Sequence, residues 1–127
     1  MKLFIAISAT IMIIAACASS RSNVTQDTLL ADQGYQELLQ GNYERAEATL
    51  RVALSINSKN PYALLNLGVL YQNTGRLEEA REMYQKLIAL NPEDVAAQST
   101  SRRHKGAKLV KIARENLSAL GFASQKN

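Results

Sequence analysis

The residues in this chain whose types could do chemistry are few. Cys17 is the single cysteine, so it has no internal disulfide partner and its thiol is open to modification. His104 is the single histidine and sits in Ser101-Arg102-Arg103-His104-Lys105, where neighbouring positive charge disfavours its protonation and repels a metal ion. Glu78, Glu79 and Glu82 gather three carboxylates within about one helical turn, a pattern that reads as the solvated face of a helix. There is no cysteine pair, no paired-histidine motif and no glycine-rich phosphate loop. The expectation is therefore no enzyme, no metal site and no cofactor.

Cys17 gains meaning from what precedes it. Lys2 supplies a positive start, Leu3 to Ile14 is a largely apolar run, and Ala15-Ala16 lead into the cysteine. That run is shorter than the roughly 20 residues a membrane-spanning helix needs and suits a cleaved signal peptide, residues 1–16. Ile14-Ala15-Ala16-Cys17 resembles the lipobox of bacterial lipoproteins, in which the cysteine becomes the lipid-bearing N-terminus. The resemblance implies a diacylglyceryl thioether on Cys17, and two or three chains make attachment effectively permanent. Ala18 is not the aspartate that retains such proteins at the inner membrane, so the implied address is the periplasmic face of the outer membrane. A chain exported in this way is not expected to meet nucleic acid. Residues 17–26 are mostly polar and lack hydrophobic periodicity, as a tether would.

The elements that must position any working surface are clearest from Pro61 to Pro92. Asn60 and Pro61 form an N-cap and first-turn proline, Gly75 closes that helix, and a second helix is expected from Leu77 to Leu90. Leu64, Leu67, Gly68 and Tyr71 share a face of the first; Ala80, Tyr84, Leu87 and Ile88 share a face of the second. Gly68 and Ala80 are the small residues at which the two helices would approach most closely. In register from Pro61, the residues Leu64, Leu67, Gly68, Tyr71, Gly75, Ala80, Tyr84 and Pro92 resemble the tetratricopeptide repeat, a helix-turn-helix unit of about 34 residues. Leu87 stands where that family usually has a small residue.

One repeat length upstream, Leu30, Gly34, Gly41, Glu44, Ala46 and Asn57 are identical to Leu64, Gly68, Gly75, Glu78, Ala80 and Asn91. The chain thus reads as all-α: an α-solenoid of two hairpins, residues 27–60 and 61–94, followed by a C-terminal capping helical segment, residues 95–127. Gln33 and Glu37 are polar where the family prefers apolar residues, which a solvent-facing terminal repeat would accommodate. In the cap, Leu109, Val110, Ile112, Ala113, Leu117 and Leu120 recur at helical spacing, and Gly121-Phe122 is expected to end the helix.

Charge divides the molecule. Residues 17–94 carry seven basic against ten acidic side chains, and residues 95–127 seven against one. The basic surface, Arg102, Arg103, Lys105, Lys108, Lys111 and Arg114, would meet an anionic lipid, protein or polymer, or simply face solvent. The family resemblance places a partner-binding groove on the first helix of each hairpin: Ala31, Tyr35, Leu38 and Leu39, then Tyr62, Leu65, Val69, Gln72 and Asn73. With Ala31 and Tyr35 in place, the carboxylate clamp of chaperone-binding members is absent. The function implied is a membrane-anchored interaction module that assists assembly of an envelope complex, as pilotins and tight-adherence pilus lipoproteins do. The alternative is an adaptor for cell-wall or surface-glycan enzymes, with the basic tail touching an anionic polymer or lipid.

Overall fold

Five helices are arranged as two antiparallel hairpins and a fifth helix laid against the second. The computed structural model describes residues 24–94 and 107–124, with the side chains of 122–124 excluded; Cys17, Arg102, Arg103, His104 and Lys105 lie outside that range. The helices are α1 (Gln26–Leu39), α2 (Tyr43–Ile56), α3 (Pro61–Asn73), α4 (Leu77–Leu90) and α5 (Leu109–Ser124). The first turn of α1 thus begins at Gln26, within the stretch expected to be tether.

Each hairpin turn is made the same way. Gly41 and Gly75 both have φ +76°, a conformation that costs a side-chain-bearing residue energy. At the second turn the Arg76 amide donates to the Tyr71 carbonyl at 2.8 Å and Gly75 to Gln72, which closes the end of α3. α3 opens as its sequence suggests, with the Asn60 Oδ1 accepting from the Ala63 amide at 2.9 Å. α4 ends on Asn91, which takes the left-handed conformation at φ 46° just ahead of Pro92.

The core follows the repeat. Ala46, Leu50 and Ala53 of α2 pack on α1, and Ala80, Tyr84 and Leu87 of α4 pack on α3; all six are fully buried. A buried leucine of this kind contributes about 1.5–3 kcal/mol. Gly34 and Gly68 permit the close approach: a Cβ on Gly34 would overlap the Leu50 side chain, and one on Gly68 the Tyr84 ring. The nearest atoms of α4 at Gly68 are therefore those of the Tyr84 ring rather than of Ala80.

α5 covers the open side of the second hairpin, burying Leu109, Val110, Ile112, Ala113 and Leu120. Its start is tied down by the Leu109 amide donating to the Asp94 carbonyl at 3.0 Å. Further along, the Asn116 amide donates to the Tyr84 hydroxyl at 3.2 Å, which donates to Gln72 Oε1 at 2.8 Å. α5 therefore runs in the same direction as α3, where the first helix of another hairpin would stack. Gly121 does not end it: the helix continues to Ser124, and Gly121 is not among the glycines with positive φ. Open space surrounds that position, so a glycine costs helix propensity there without forcing a stop.

Candidate functional site

A polar network between the hairpins, on the side of the second helices, holds the stack together. The Arg76 guanidinium donates to Glu47 at 2.7 Å, pairs with Glu79, and lies 4.3 Å from the centre of the Tyr71 ring. The Tyr71 hydroxyl donates to Glu47 at 3.1 Å and accepts from Arg51 at 3.0 Å. Burial works to raise the Glu47 carboxyl, but hydrogen bonds from Arg76, Arg51 and Tyr71 overcome it and leave the group below its ordinary value. Because these side chains come from α2, α3 and the start of α4, they fix how the second hairpin sits on the first.

A second polar junction secures the other end. Asp27 is almost fully buried and accepts from Asn57 at 2.8 Å and from Asn60 at 2.7 Å. Hydrogen bonds from Thr25, Asn60 and Asn57 hold its carboxyl down to about 2. Asn60 thereby caps α3 and pins the start of α1 in one stroke. Within the first hairpin, Glu37 is buried rather than solvent-facing, contrary to the expectation for a terminal repeat. Gln33 at 3.1 Å, Thr49 at 2.8 Å and Arg45 at 3.4 Å satisfy its carboxylate. Those bonds, led by Gln33 and Thr49, keep it below its ordinary value. Gln33 itself is exposed, as expected.

On this frame the groove residues divide into two sets. Tyr35, Tyr62, Val69 and Gln72 are partly buried, Asn73 is exposed, and Leu39 is 44% exposed. Leu38 and Leu65 are each only 8% exposed and belong to the core, as does Ala31. The reason is geometric: they lie on the side of each first helix that the next such helix covers. Asn66 of α3 reaches the Ala31 carbonyl at 3.4 Å, and α5 packs against α3 in the same manner. Leu38 and Leu65 therefore support the groove and do not line it.

Residues that the repeat pattern had not singled out join the surface. Asp32 and Asn66 share helical rows with Tyr35 and Val69, and the Tyr62 hydroxyl lies 3.4 Å from Asp94 Oδ1. Burial, then the charges of Asp94 and Asp32, push the Tyr62 phenol up. The inner face is thus aromatic and weakly acidic. A signal for it existed in the sequence, since Asp32 and Asn66 occupy equivalent positions one repeat apart.

The predicted basic residues that are described are exposed, Lys108 just before α5 and Lys111 and Arg114 on it. They line a cleft of about 410 Å3 with Asn91, Pro92, Glu93, Val110 and Glu115. Lys108 pairs with Glu93 at 2.5 Å, and hydrogen bonding to that lysine holds the Glu93 carboxyl below its ordinary value. Among the described residues no group of three or more His, Cys, Asp or Glu is placed to hold a metal ion. No helix among them is long and apolar enough to cross a membrane.

Stacked antiparallel hairpins that expose one row of side chains from each first helix define a helical-repeat scaffold for binding other proteins. The tetratricopeptide repeat profile matches residues 37–103, just over half of the chain, and the chain belongs to that family. It is 37% identical over 60 residues to the human protein O-mannosyl-transferase TMTC2, covering 47% of this chain and 7% of that protein. It is 34% identical over 62 residues to the TPR repeat-containing protein MJ1428 of Methanocaldococcus jannaschii, covering 45% of this chain and 11% of that one. The chain thus spans only a small part of these relatives. No solved structure matches it.

Proposed function

We propose that this protein is a lipid-anchored interaction module of the cell envelope that assists assembly of a multiprotein machine such as a pilus or secretion complex. The observation that carries the binding half of the reading is the row Tyr35, Tyr62, Val69 and Asn73, which folding leaves at least partly accessible while the packing positions beside it are closed. Such a row, part apolar and part polar, suits a peptide segment or an amphipathic helix. The anchoring half rests on Cys17 and the residues before it, and implies the periplasmic face of the outer membrane.

The test pairs binding with stability. Tyr62→Ala combined with Val69→Glu changes two partly buried inner-face residues at the margin of the core, so helical content should persist with a modest fall in melting temperature. Crosslinking to envelope proteins in intact cells should be lost. Retained crosslinking would remove the groove from the mechanism.

A second reading has its own support in the basic row on α5. Lys108, Lys111 and Arg114 recur one turn apart and face solvent, which suits contact with an anionic polymer or lipid in an adaptor for cell-wall or surface-glycan enzymes. Changing all three to Glu would abolish recognition under this reading. Recognition would also fall at moderate salt in the parent, since exposed charges are screened beyond about 8 Å at physiological ionic strength.

A further inference from the structure

The outer edge of the first hairpin carries apolar side chains that no described element covers. Leu29 on α1 is 58% exposed, and Val52 and Ile56 on α2 are each 49% exposed. The three share one side of the molecule. On α2, Ala46, Leu50 and Ala53 face α1, and Glu47 and Arg51 face the second hairpin; at 100° per residue, Val52 and Ile56 fall on the remaining flank. On α1, Leu29 occupies the repeat position of Ala63, which in the second hairpin is the fully buried contact with the hairpin before it. The pairing of Asp27 with Asn57 sets the first turn of α1 beside the end of α2.

We propose that this edge rests on the lipid surface to which Cys17 is attached, an inference that depends on the anchored reading above. The chain between Cys17 and Gln26 can extend at most about 30 Å at roughly 3.3 Å per residue. It enters the fold through α1, one of the two helices that make the edge, and exposed Val24 lies two residues before it. The tether therefore joins the fold beside this edge. The composition also favours lipid over another hairpin. A stacked hairpin would bury the row that continues from Leu29, and there the second hairpin has Leu67 where the first has exposed Gln33. Gln33 and the 74% exposed Arg45 suit headgroups, while Leu29, Val52 and Ile56 suit the acyl boundary just beneath.

The test uses the full lipidated chain, in which Cys17 is blocked by its own lipid and an introduced thiol is the only reactive one. Ala48→Cys places a bimane label on the exposed flank of α2, and Ser118→Cys places one on exposed α5 as the control. Both proteins are reconstituted in vesicles of phosphatidylethanolamine and phosphatidylglycerol. The label at 48 should shift to the blue and be quenched by aqueous iodide several-fold less than the label at 118. With Leu29→Glu, Val52→Glu and Ile56→Glu added, that protection should vanish while vesicle attachment and helical content persist. Equal quenching at both sites, with lipid on Cys17 verified by mass spectrometry, overturns the inference and leaves the anchor standing. An unlipidated Cys17 removes both. Protection at 48 that scales with protein-to-lipid ratio would mean a second copy covers the edge, and would also overturn it.

Discussion

The same repeat position meets opposite fates at the two boundaries of the stack. Ala63, Leu67 and Leu70 of α3 are buried where the second hairpin meets the first, whereas Leu29, Gln33 and Gln36, their counterparts on α1, are exposed. Both hairpins keep the internal set, with Gly34 against Leu50 and Gly68 against Tyr84. Packing within a hairpin is thus written into the repeat, while burial at its edges is decided by the neighbour. Two of the three edge positions on α1 are polar, and among the described residues no neighbouring hairpin covers them. Leu29 is not polar, and that asymmetry is what singles the edge out.

The sharpest way to break this comparison is to place a charge at the buried boundary. Ala63→Glu puts an unpaired carboxylate into a fully buried site, for which a cost of about 3–5 kcal/mol is typical. That is a large part of the margin of a small domain, about 5–15 kcal/mol. Loss of cooperative unfolding in urea is the expected result. A variant that melts like the parent would mean the two hairpins are not a single stack.

A smaller effect distinguishes the two internal contacts. Gly68→Ala drives a methyl group into the Tyr84 ring, which is fully buried and tethered to both Gln72 and Asn116. Overpacking of this kind costs about 1–3 kcal/mol. Gly34→Ala meets the Leu50 side chain, which is equally buried but has no polar tether, so it can give further than the hydrogen-bonded ring. The helix propensity gained, up to about 1 kcal/mol, is common to both sites, so the difference lies in how far each neighbour can give. Denaturation midpoints of the two variants should therefore differ, with Gly68→Ala the lower.

The junction at Asp27 has no twin in the second hairpin, where Pro61 holds the equivalent position. Asn60→Ala removes the cap of α3, worth about 1 kcal/mol, and one of the bonds that keep the Asp27 carboxyl at about 2. The sign of the pH effect follows from that depressed value. The junction stabilises the fold fully above the ordinary aspartate range near about 4 and loses its contribution as pH falls toward about 2. Melting temperature across that window should drop less steeply in Asn60→Ala than in the parent. An identical slope would show that Asp27 does not control it.

Much of the second hairpin was legible because its signals are local. Asn60 before Pro61, Gly75 at the turn and the spacing of Ala80, Tyr84 and Leu87 each report on a few neighbouring residues, and α3 and α4 appear at those places. The groove was less legible. Leu38 and Leu65 carry the same helical phase as surface residues, and only the helix stacked beside each one buries it. Glu37 is another such case, since nothing local announces that Thr49 and Arg45 of the next helix will satisfy a buried carboxylate. Gly121 misled for the opposite reason: a glycine permits a helix end without requiring one, and α5 passes through it.

The smallest expected effect is the counterpart of the largest. Leu29→Glu is the substitution of Ala63→Glu moved one repeat toward the N-terminus, onto an exposed site. In the soluble, unlipidated chain it should change stability by no more than about 0.5 kcal/mol, the range of surface substitutions away from special features. A carboxylate near the start of α1 even gains slightly from the helix dipole. If stability instead falls as it does for Ala63→Glu, the edge is already covered in solution by a second copy or by residues outside the described range. The first of those makes the fall depend on protein concentration and the second does not, so melting Leu29→Glu and its parent across a dilution series separates them.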